Sequence, residues 1–302
     1  MARNTLILNE IFYSLEGEGP HMSLPTIYVR TSKCNKKCPM FNNHNREISS
    51  TGYAKIDFNP GDIMVLQDLP VIDKGCDTQY AVNPEFQHLW KEYDVEQLVD
   101  AIMDIIPNRS WINPISHQPV ILSLTGGEPM LYMKFFTEQL LQHPKMQECK
   151  HILMETNSSI VVRPKDLDAI VDWCYRNNSR WTWANSPKLS NSGETWKSSI
   201  KPAVLVSQMD NQYISCNPHK FTQYLKFVTD GSEQSIAEIE RATAEYYKGG
   251  VPLDIEVGLM PEAATAEQQL QVMKHVADIC MQRGYRFVLR LQNILWGNAV
   301  GT

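Results

Sequence analysis

Two cysteines four positions apart are the first residues in this sequence whose type and spacing suit chemistry. Cys34 and Cys38 enclose Asn35-Lys36-Lys37, directly after a segment typical of a β-strand. Thiolates at this spacing in a turn can face the same metal ion or cluster. The pair alone is consistent with half of a zinc site, with a redox pair or with chance. A zinc site would need further ligands, such as His44 and Cys76.

The composition is that of a folded protein without a broad basic surface. Of 302 residues, 43% are hydrophobic and 21% charged, enough for one large domain or two ordinary ones. A net charge of −6 gives no electrostatic reason to expect nucleic-acid or anionic-membrane binding. No apolar run reaches the length of a membrane span, and the first residues lack the apolar stretch of a signal peptide. We therefore expect a cytoplasmic protein.

In a reducing compartment, clustered cysteines are typical of metal ligands or nucleophiles rather than disulfides. The chain has seven cysteines, and four of them stand outside the cluster. Cys174 and Cys280 lie within apolar helical patterns, which predicts packed thiols.

Strand-like segments alternate with segments of helical period along most of the chain. Asp94 and Gln97 form a predicted capping box at the start of one helix, and Thr265 and Gln268 form another. This alternation predicts βαβ units and a parallel sheet. The predicted strands are 26–31, 120–124, 151–156, 181–186, 224–229, 253–260 and 285–295, and the other predicted helices are 133–143, 165–175, 235–248 and 267–283.

Polar segments follow three successive predicted strands. They are Thr-Gly-Gly-Glu-Pro at 125–129, Glu-Thr-Asn at 155–157 and Ser-Pro-Lys at 186–188. Because parallel sheets place their chemistry at the carboxyl ends of the strands, these segments predict one common site. Residues 42–75 break the alternation and are interpreted as an inserted Ω-like loop or small subdomain of a single 1–302 domain.

An ordered series of motifs gives a more specific prediction. A Glu-Gly-Glu-Gly loop at 16–19, a strand ending in Arg30, the cysteine pair, and Cys76-Asp77-Thr78 precede the strand-end segments and the closing Leu-Trp-Gly-Asn-Ala-Val-Gly-Thr at 295–302. In this order they resemble 7-carboxy-7-deazaguanine synthases, the QueE family of radical S-adenosylmethionine (SAM) enzymes. The resemblance implies an α/β fold, a modified and incomplete (β/α) TIM-type barrel.

The sequence departs from the family pattern at three places. The third cysteine usually stands three residues after the second, where this chain has Phe41, so Cys76 is assigned as the third ligand after the 42–75 insertion. Gln292 stands where the family often has histidine, and Asn157 where it commonly has serine.

The resemblance implies a [4Fe-4S] cluster on three thiolates, whose open iron binds SAM and releases a 5′-deoxyadenosyl radical. Glycines at 126 and 127 would let the backbone approach a ligand, and Glu128 would pair with the SAM ammonium. Arg30 would clamp the substrate carboxylate and Glu18 the guanidine-like edge. By resemblance the cluster ligands are Cys34, Cys38 and Cys76; the Mg²⁺ ligand is Thr78; the SAM residues are Gly75, Asp77, Gly127, Glu128, Ser186, Pro187 and Lys188; and the substrate residues are Leu15, Glu16, Gly17, Glu18, Arg30, Thr125 and Thr302.

The implied reaction is the ring contraction of 6-carboxy-5,6,7,8-tetrahydropterin to 7-carboxy-7-deazaguanine with release of ammonia, in 7-deazaguanine (queuosine-type) biosynthesis. No protein residue is assigned as catalytic, because the radical chemistry is centred on the cofactor. The implied partners are an electron donor such as flavodoxin and a second copy in a homodimer, with no nucleic acid and no membrane. Alternatives are another radical SAM enzyme such as a glycyl-radical activase, a zinc or iron–sulfur binding module without catalysis, and a homologue whose insertion has abolished cluster binding.

Overall fold

The computed structural model describes residues 5–297 and 299–302. Within them, nine strands form one mixed sheet in the order β3-β1-β2-β4-β5-β6-β7-β8-β9. Asn298 of the closing motif and residues 1–4 lie outside the described part. The strands are β1 (Leu6–Leu15), β2 (Pro25–Thr31), β3 (Lys91–Tyr93), β4 (Ile121–Gly126), β5 (His151–Thr156), β6 (Arg180–Asn185), β7 (Phe221–Thr229), β8 (Glu256–Pro261) and β9 (Arg286–Phe287).

Parallel pairing links β2 to β4 and continues through β9, which confirms the predicted parallel sheet. β1 runs antiparallel to both β2 and β3 and was not predicted. Its pairing with β2 shifts register between Leu8 and Glu10, and this irregularity interrupts the alternation by which a strand is recognised.

Ten helices connect the strands in the described residues. Both predicted capping boxes are confirmed, with the reciprocal bonds of Asp94 with Gln97 and of Thr265 with Gln268 present. The helices are α1 (Gln79–Val82), α2 (Val95–Ile105), α3 (Met133–Glu138), α4 (Pro164–Asn177), α5 (Trp196–Ser199), α6 (Pro202–Met209), α7 (Gln212–Cys216), α8 (Glu233–Lys248), α9 (Ala266–Arg283) and α10 (Leu291–Trp296). No helix among the described residues is long and apolar enough to cross a membrane.

The predicted strand 285–295 is wrong beyond Phe287. The Leu291 amide donates to the Gly17 carbonyl at 3.0 Å, and Gln269 bonds both the amide and the carbonyl of Arg290. These long-range bonds turn the chain away from the sheet and into α10. The predicted helix 133–143 ends early at Glu138, and 3₁₀ turns continue it.

The two faces of the sheet differ in chemistry. Leu122, Met154, Trp183 and Phe227 alternate onto the face that packs against the helices in two large apolar clusters. The opposite face carries a small apolar cluster of Ile121, Leu153, Ala184 and Tyr224. Continuing that alternation toward the strand ends places polar side chains on the same inner face: Ser123, Thr125, Glu155 and Lys226.

A buried histidine, His151, and a partly buried one, His21, fill the inner face at the amino ends of the strands. His21 and His151 contact edge-to-face with ring centroids 4.5 Å apart, and each lies within 3.2 Å of the Thr182 hydroxyl. Burial lowers the pKa of both imidazoles, so they are neutral hydrogen-bonding groups at pH 7. This end of the inner face is therefore filled by side chains, whereas the carboxyl end is open.

Residues 42–75, all described, contribute two 3₁₀ turns, Pro60–Asp62 and Leu66–Asp68, and one isolated bridge. Tyr53, Ile63 and Ile72 pack with Phe86 and Leu89 in a small apolar cluster separate from the two main ones. His44 and Asp57, expected at the surface, are exposed. The excursion thus has its own small core next to the cysteines.

Candidate active site

A cavity of about 310 Å³ opens at the carboxyl ends of the strands. Its wall receives residues from the ends of β1, β2 and β4 to β8, from the insertion and from the segment around α10. It therefore lies where the three polar strand-end segments predicted a common site. The predicted site residues that line it are Glu16, Glu18, Arg30, Cys34, Cys38, Gly75, Cys76, Asp77, Thr78, Thr125, Gly127, Ser186, Lys188 and Thr302, whereas Leu15, Gly17, Glu128 and Pro187 stand behind this wall.

The three cysteines of the predicted cluster all line this cavity and are free thiols. Cys34 Sγ accepts from the Lys36 amide at 3.4 Å and from Asn157 Nδ2 at 3.6 Å. Cys76 Sγ lies 3.4 Å from the Thr78 hydroxyl. Burial raises the pKa of each thiol, so a nearby cation is needed to hold them as thiolates.

Closure of the insertion explains how a distant cysteine joins the pair. The Gly75 amide donates to the Phe41 carbonyl at 2.7 Å, so the two ends of the insertion are adjacent. Cys76 consequently enters the cavity beside Phe41, which occupies the usual third-ligand position of the sequence motif. Gly75 has φ +74°, and a Cβ there would lie 2.5 Å from that of Ala54, so the return needs glycine.

Glu194, which the sequence did not single out, holds the cysteine loop from the segment after β6. Its Oε1 accepts from the Lys37 amide at 3.0 Å and the Cys38 amide at 3.3 Å. Its Oε2 accepts from Lys36 Nζ at 3.3 Å, and this buried ammonium also donates to Ser198 and Ser199. One carboxylate therefore fixes the backbone that presents Cys38.

We expect Glu194→Ala to lower the free energy of unfolding by about 3 kcal/mol, because it leaves the buried Lys36 ammonium without its counter-charge. Urea denaturation of the metal-free protein measures this. Glu47→Ala is the matched control, since Glu47 pairs with Lys74 at 3.6 Å in a more exposed place and should cost below about 1 kcal/mol. Equal losses in the two variants would contradict a special role for Glu194.

The glycine pair after β4 packs against the cysteine loop. The Gly127 amide donates to the Thr31 carbonyl at 2.9 Å, and the Glu128 amide donates to the Lys33 carbonyl at 3.0 Å. A Cβ would lie 2.2 Å from the Thr31 carbonyl at position 126 and 2.0 Å from the Lys33 carbonyl at position 127. Glycine is therefore needed at both positions because the backbone here lies close to the protein's own cysteine loop. The sequence had indicated a close approach to a ligand.

Glu128 is not among the residues that line the cavity. Its side chain is fully buried. One oxygen accepts from the Thr156 hydroxyl at 2.7 Å and the Met130 amide at 3.1 Å, and the other from the Asn157 amide at 2.8 Å. In this conformation Glu128 joins the first two strand-end segments beneath the cavity.

Arg30 presents its guanidinium to the cavity with one edge already engaged. Its Nε donates to Glu10 at 2.6 Å, and Tyr80 donates to the same oxygen at 2.9 Å. The guanidinium also lies 5.7 Å from the centroid of the Phe12 ring. These three contacts orient Arg30, and sequence reasoning missed Glu10 and Tyr80.

A chain of charges crosses the cavity from the first loop to α10. Glu18 forms ion pairs with Lys226 and, at 3.4 Å, with Arg290. Arg290 also binds Asp77 at 2.9 Å, next to Cys76. Lys226 and Arg290 were not predicted, although a lysine within the otherwise apolar inner face of β7 was a visible signal.

Two buried carboxyl groups stand on the inner face beside this chain. Glu16 and Glu155 both line the cavity, and Ser123 donates to Glu155 at 2.8 Å. Burial, then the charge of Glu155, raises the pKa of Glu16, and burial raises the pKa of Glu155. Burial and mutual repulsion therefore disfavour ionisation of both carboxyl groups at once.

The arrangement was compared with known proteins. No family model matches the chain. A 7-carboxy-7-deazaguanine synthase of Pyrobaculum aerophilum is 24% identical over 97% of this chain and 95% of the relative. That of Halobacterium salinarum is 26% identical over 98% and 93%, and that of Bacteroides thetaiotaomicron is 58% identical over 55% and 57%. A crystal structure of QueE from Escherichia coli shares the fold, with a TM-score of 0.50 and 15% identity over 96% of this chain and 95% of that one.

Over nearly its whole length the chain is similar to 7-carboxy-7-deazaguanine synthases.

The donors at the cavity suit the cluster expected of the family. Within residues 5–297 and 299–302 no group of three His, Cys, Asp or Glu side chains converges on a single metal ion, and this includes the cysteines with His44 that zinc would need. A four-iron cluster binds each thiolate through a different iron, so its cysteines surround a volume instead of meeting at one point. Three free thiols that line the same cavity, close enough to affect one another's pKa, fit the larger group.

Gln292 lines the cavity at the position where the family often has histidine. Its Nε2 donates to the Leu15 carbonyl at 2.9 Å and contacts the Tyr28 hydroxyl at 3.0 Å. A Cβ at position 17 would lie 1.5 Å from Gln292 Oε1, so Gly17 leaves the space that this side chain fills. Gln292 thereby joins α10 to the loop after β1 and supports that wall.

Proposed function

We propose that this chain converts 6-carboxy-5,6,7,8-tetrahydropterin to 7-carboxy-7-deazaguanine and ammonia, as a radical SAM lyase of 7-deazaguanine biosynthesis. The observation that carries the proposal is the convergence of two unlike sets on one cavity. Three free thiols stand on one side, and Arg30, Glu18 and the Glu16–Glu155 carboxyl pair stand on the inner face of the sheet. This arrangement supports an iron–sulfur cofactor that binds beside a small charged molecule.

We assign Cys34, Cys38 and Cys76 as ligands of a [4Fe-4S] cluster. When bound, the cluster and SAM supply the radical that starts the reaction. Lys188, whose Nζ lies 3.1 Å from the Ser186 hydroxyl, favours the thiolate form of all three cysteines and is placed to bind a SAM carboxylate. Gly75, Asp77, Gly127, Pro187 and Glu128 remain our assignments for the SAM side, Glu128 acting through the segment that it braces.

The substrate side has complementary charge. The pterin carries a carboxylate, which the free edge of Arg30 suits, and a guanidine-like edge, which the carboxylates of Glu16 and Glu18 suit. Thr125 pairs with Arg30 across β2 and β4, so both lie at the same depth of the cavity. Leu15, Gly17 and Thr302 complete the proposed substrate contacts.

We further propose that Thr78, together with oxygens of the substrate, would hold Mg²⁺. One hydroxyl group cannot hold Mg²⁺ by itself. The substrate and water would therefore supply most of the other ligands, as is usual for this ion. We expect chelation of Mg²⁺, or Thr78→Val, to slow turnover, while Thr51→Val in the insertion has no effect. Turnover by the metal-stripped enzyme at the full rate would remove the role assigned to Thr78.

We propose that the sheet curves as an incomplete (β/α) barrel, since its inner face surrounds one cavity, and that residues 1–302 form one domain with 42–75 inserted in the cluster loop. Seven free thiols support a cytoplasmic location. A homodimer and a flavodoxin-like electron donor follow from the family and are likewise proposals.

Anaerobic incubation of the reconstituted protein with SAM, dithionite, Mg²⁺ and the carboxypterin tests the function. We expect mass spectrometry to detect the deazaguanine acid, released with ammonia, at many turnovers per SAM. Formation of 5′-deoxyadenosine without the acid would contradict the proposed substrate. A colourless protein holding one zinc would contradict the radical SAM assignment altogether.

A further inference from the structure

Lys226 is an ammonium group buried in the wall of the cavity. It lies on the inner face of β7 between Tyr224 and Val228 and is only 6% exposed. It forms an ion pair with the Glu18 carboxylate, which also pairs with Arg290. Because a buried lysine is costly and the carboxylate already has Arg290, Lys226 is more than a structural counter-ion.

Glu16 is a carboxyl group with spare capacity in the same place. It is 2% exposed, and its Oε1 accepts from the Glu18 amide at 3.3 Å. Its Oε2 is buried and makes no hydrogen bond within the described part of the chain. An unsatisfied buried oxygen on a cavity wall calls for a partner that the cavity brings.

The proposed reaction requires proton carriers of this kind. The product has carbon where the substrate has the ring nitrogen bonded to the pyrimidine, so that nitrogen leaves. It carries one hydrogen in the substrate and three in ammonia. The carbon atoms of the reduced ring lose the other two, so the overall change is not a net oxidation. Protons must therefore leave carbon and reach nitrogen inside a buried site.

We propose that Lys226 is a further catalytic residue, which donates a proton to the departing nitrogen, and that Glu16 accepts one proton lost from a ring carbon. The carbon–hydrogen electron pair enters the new ring double bond, and the carbon–nitrogen pair leaves with ammonia. The nitrogen gains its other hydrogen from the second hydrogen that the ring carbons lose, which the radical chemistry supplied by the cofactor would move. Transfer of the Glu16 proton back to Lys226 restores both groups, so no outside acid or oxidant is consumed. This inference rests on the proposed function and adds protein residues to a reaction otherwise assigned to the cofactor.

The charges around Lys226 suit a proton donor. Burial, then the charge of Arg290, lowers its pKa to about 8, while Glu16 acts to raise it. An acid with a pKa near the working pH transfers its proton most effectively. The acid form exists below this pKa, so product formation should decline as pH rises above about 8, with Glu16, Glu18 and Arg290 as the charged groups facing Lys226.

The test compares Lys226→Met and Lys226→Arg with wild type, using substrate deuterated on the carbons of its reduced ring. We expect product formation to fall by about 10²- to 10⁴-fold in both variants. Deuterium should still reach 5′-deoxyadenosine at near the wild-type rate, because the radical step precedes loss of nitrogen. Arginine keeps the charge but not the readily released proton, so its charge alone should not rescue turnover.

Lys220→Met, just before the same strand, is the matched control and should retain both activities. Cluster content and binding of the product acid to each variant report whether the site is intact. Three results would overturn the assignment. They are an equal loss of deuterium transfer and of product, rescue of turnover in Lys226→Arg, and a residual rate of Lys226→Met that still declines above about pH 8 as in wild type. If wild type and Lys220→Met make no deazaguanine acid, the proposed function itself fails.

Discussion

Cys76→Ala is expected to hold no four-iron cluster after anaerobic reconstitution and to form no 5′-deoxyadenosine. The remaining thiols, Cys34 and Cys38, bind through one short loop and leave two irons of the cluster without protein ligands. Cys76 directly follows the insertion, and the hydrogen bond between Gly75 and Phe41 brings it to the cavity beside the other two cysteines. The loss should be complete because no other cysteine lines the described cavity wall.

Iron content and the visible absorbance of the reconstituted protein measure this result. Cys216→Ala is the control, since that thiol is exposed and outside the cavity, and it should keep its cluster. The metal-free Cys76→Ala protein should unfold within about 1 kcal/mol of wild type, because a half-buried thiol is being replaced by a smaller apolar group. A full SAM-cleaving cluster in Cys76→Ala would show that the third ligand lies elsewhere.

The parallel sheet was predictable because its signals are local. Each of β2 and β4 to β7 is a short apolar run followed by a polar segment, and the capping boxes at Asp94 and Thr265 depend on residues three apart. β1 escaped prediction where its register shifts, and α10 where long-range bonds to Gly17 and Gln269 override its strand-like composition. Tertiary contacts of this kind leave no pattern in a single sequence.

The residues of the site likewise fall into those that local sequence motifs indicate and those that only tertiary contacts reveal. Cysteines, strand-end glycines and Arg30 belong to motifs, so their order along the chain indicated the cavity. Glu194, Arg290 and Lys226 act through contacts between distant segments, and Glu194 reaches the cysteine loop from more than 150 positions away. The motif residue Glu128 also has contacts that its sequence does not reveal, since its side chain is buried among three protein donors.

Arg30→Ala should weaken binding of the carboxypterin by about 30- to 700-fold and leave SAM binding within about twofold. Removing one member of a buried charge pair costs about 2 to 4 kcal/mol, which this range expresses as a ratio of dissociation constants. The Glu10 contact occupies Nε, so the two Nη groups remain for a carboxylate, a geometry that only arginine provides. Isothermal titration of the reconstituted enzyme with each ligand separates the two affinities.

Two variants make the result specific to the guanidinium fork. Arg30→Lys keeps a positive charge but loses the planar pair of donors, so its affinity for the carboxypterin should lie between wild type and Arg30→Ala. Arg286→Ala removes an arginine that pairs with Glu256 at the opposite end of the strands and should bind both ligands normally. Equal weakening of SAM and carboxypterin in Arg30→Ala would instead mean that the Glu10–Arg30–Tyr80 contacts support the whole cavity, and Arg30 would then be a positioning residue.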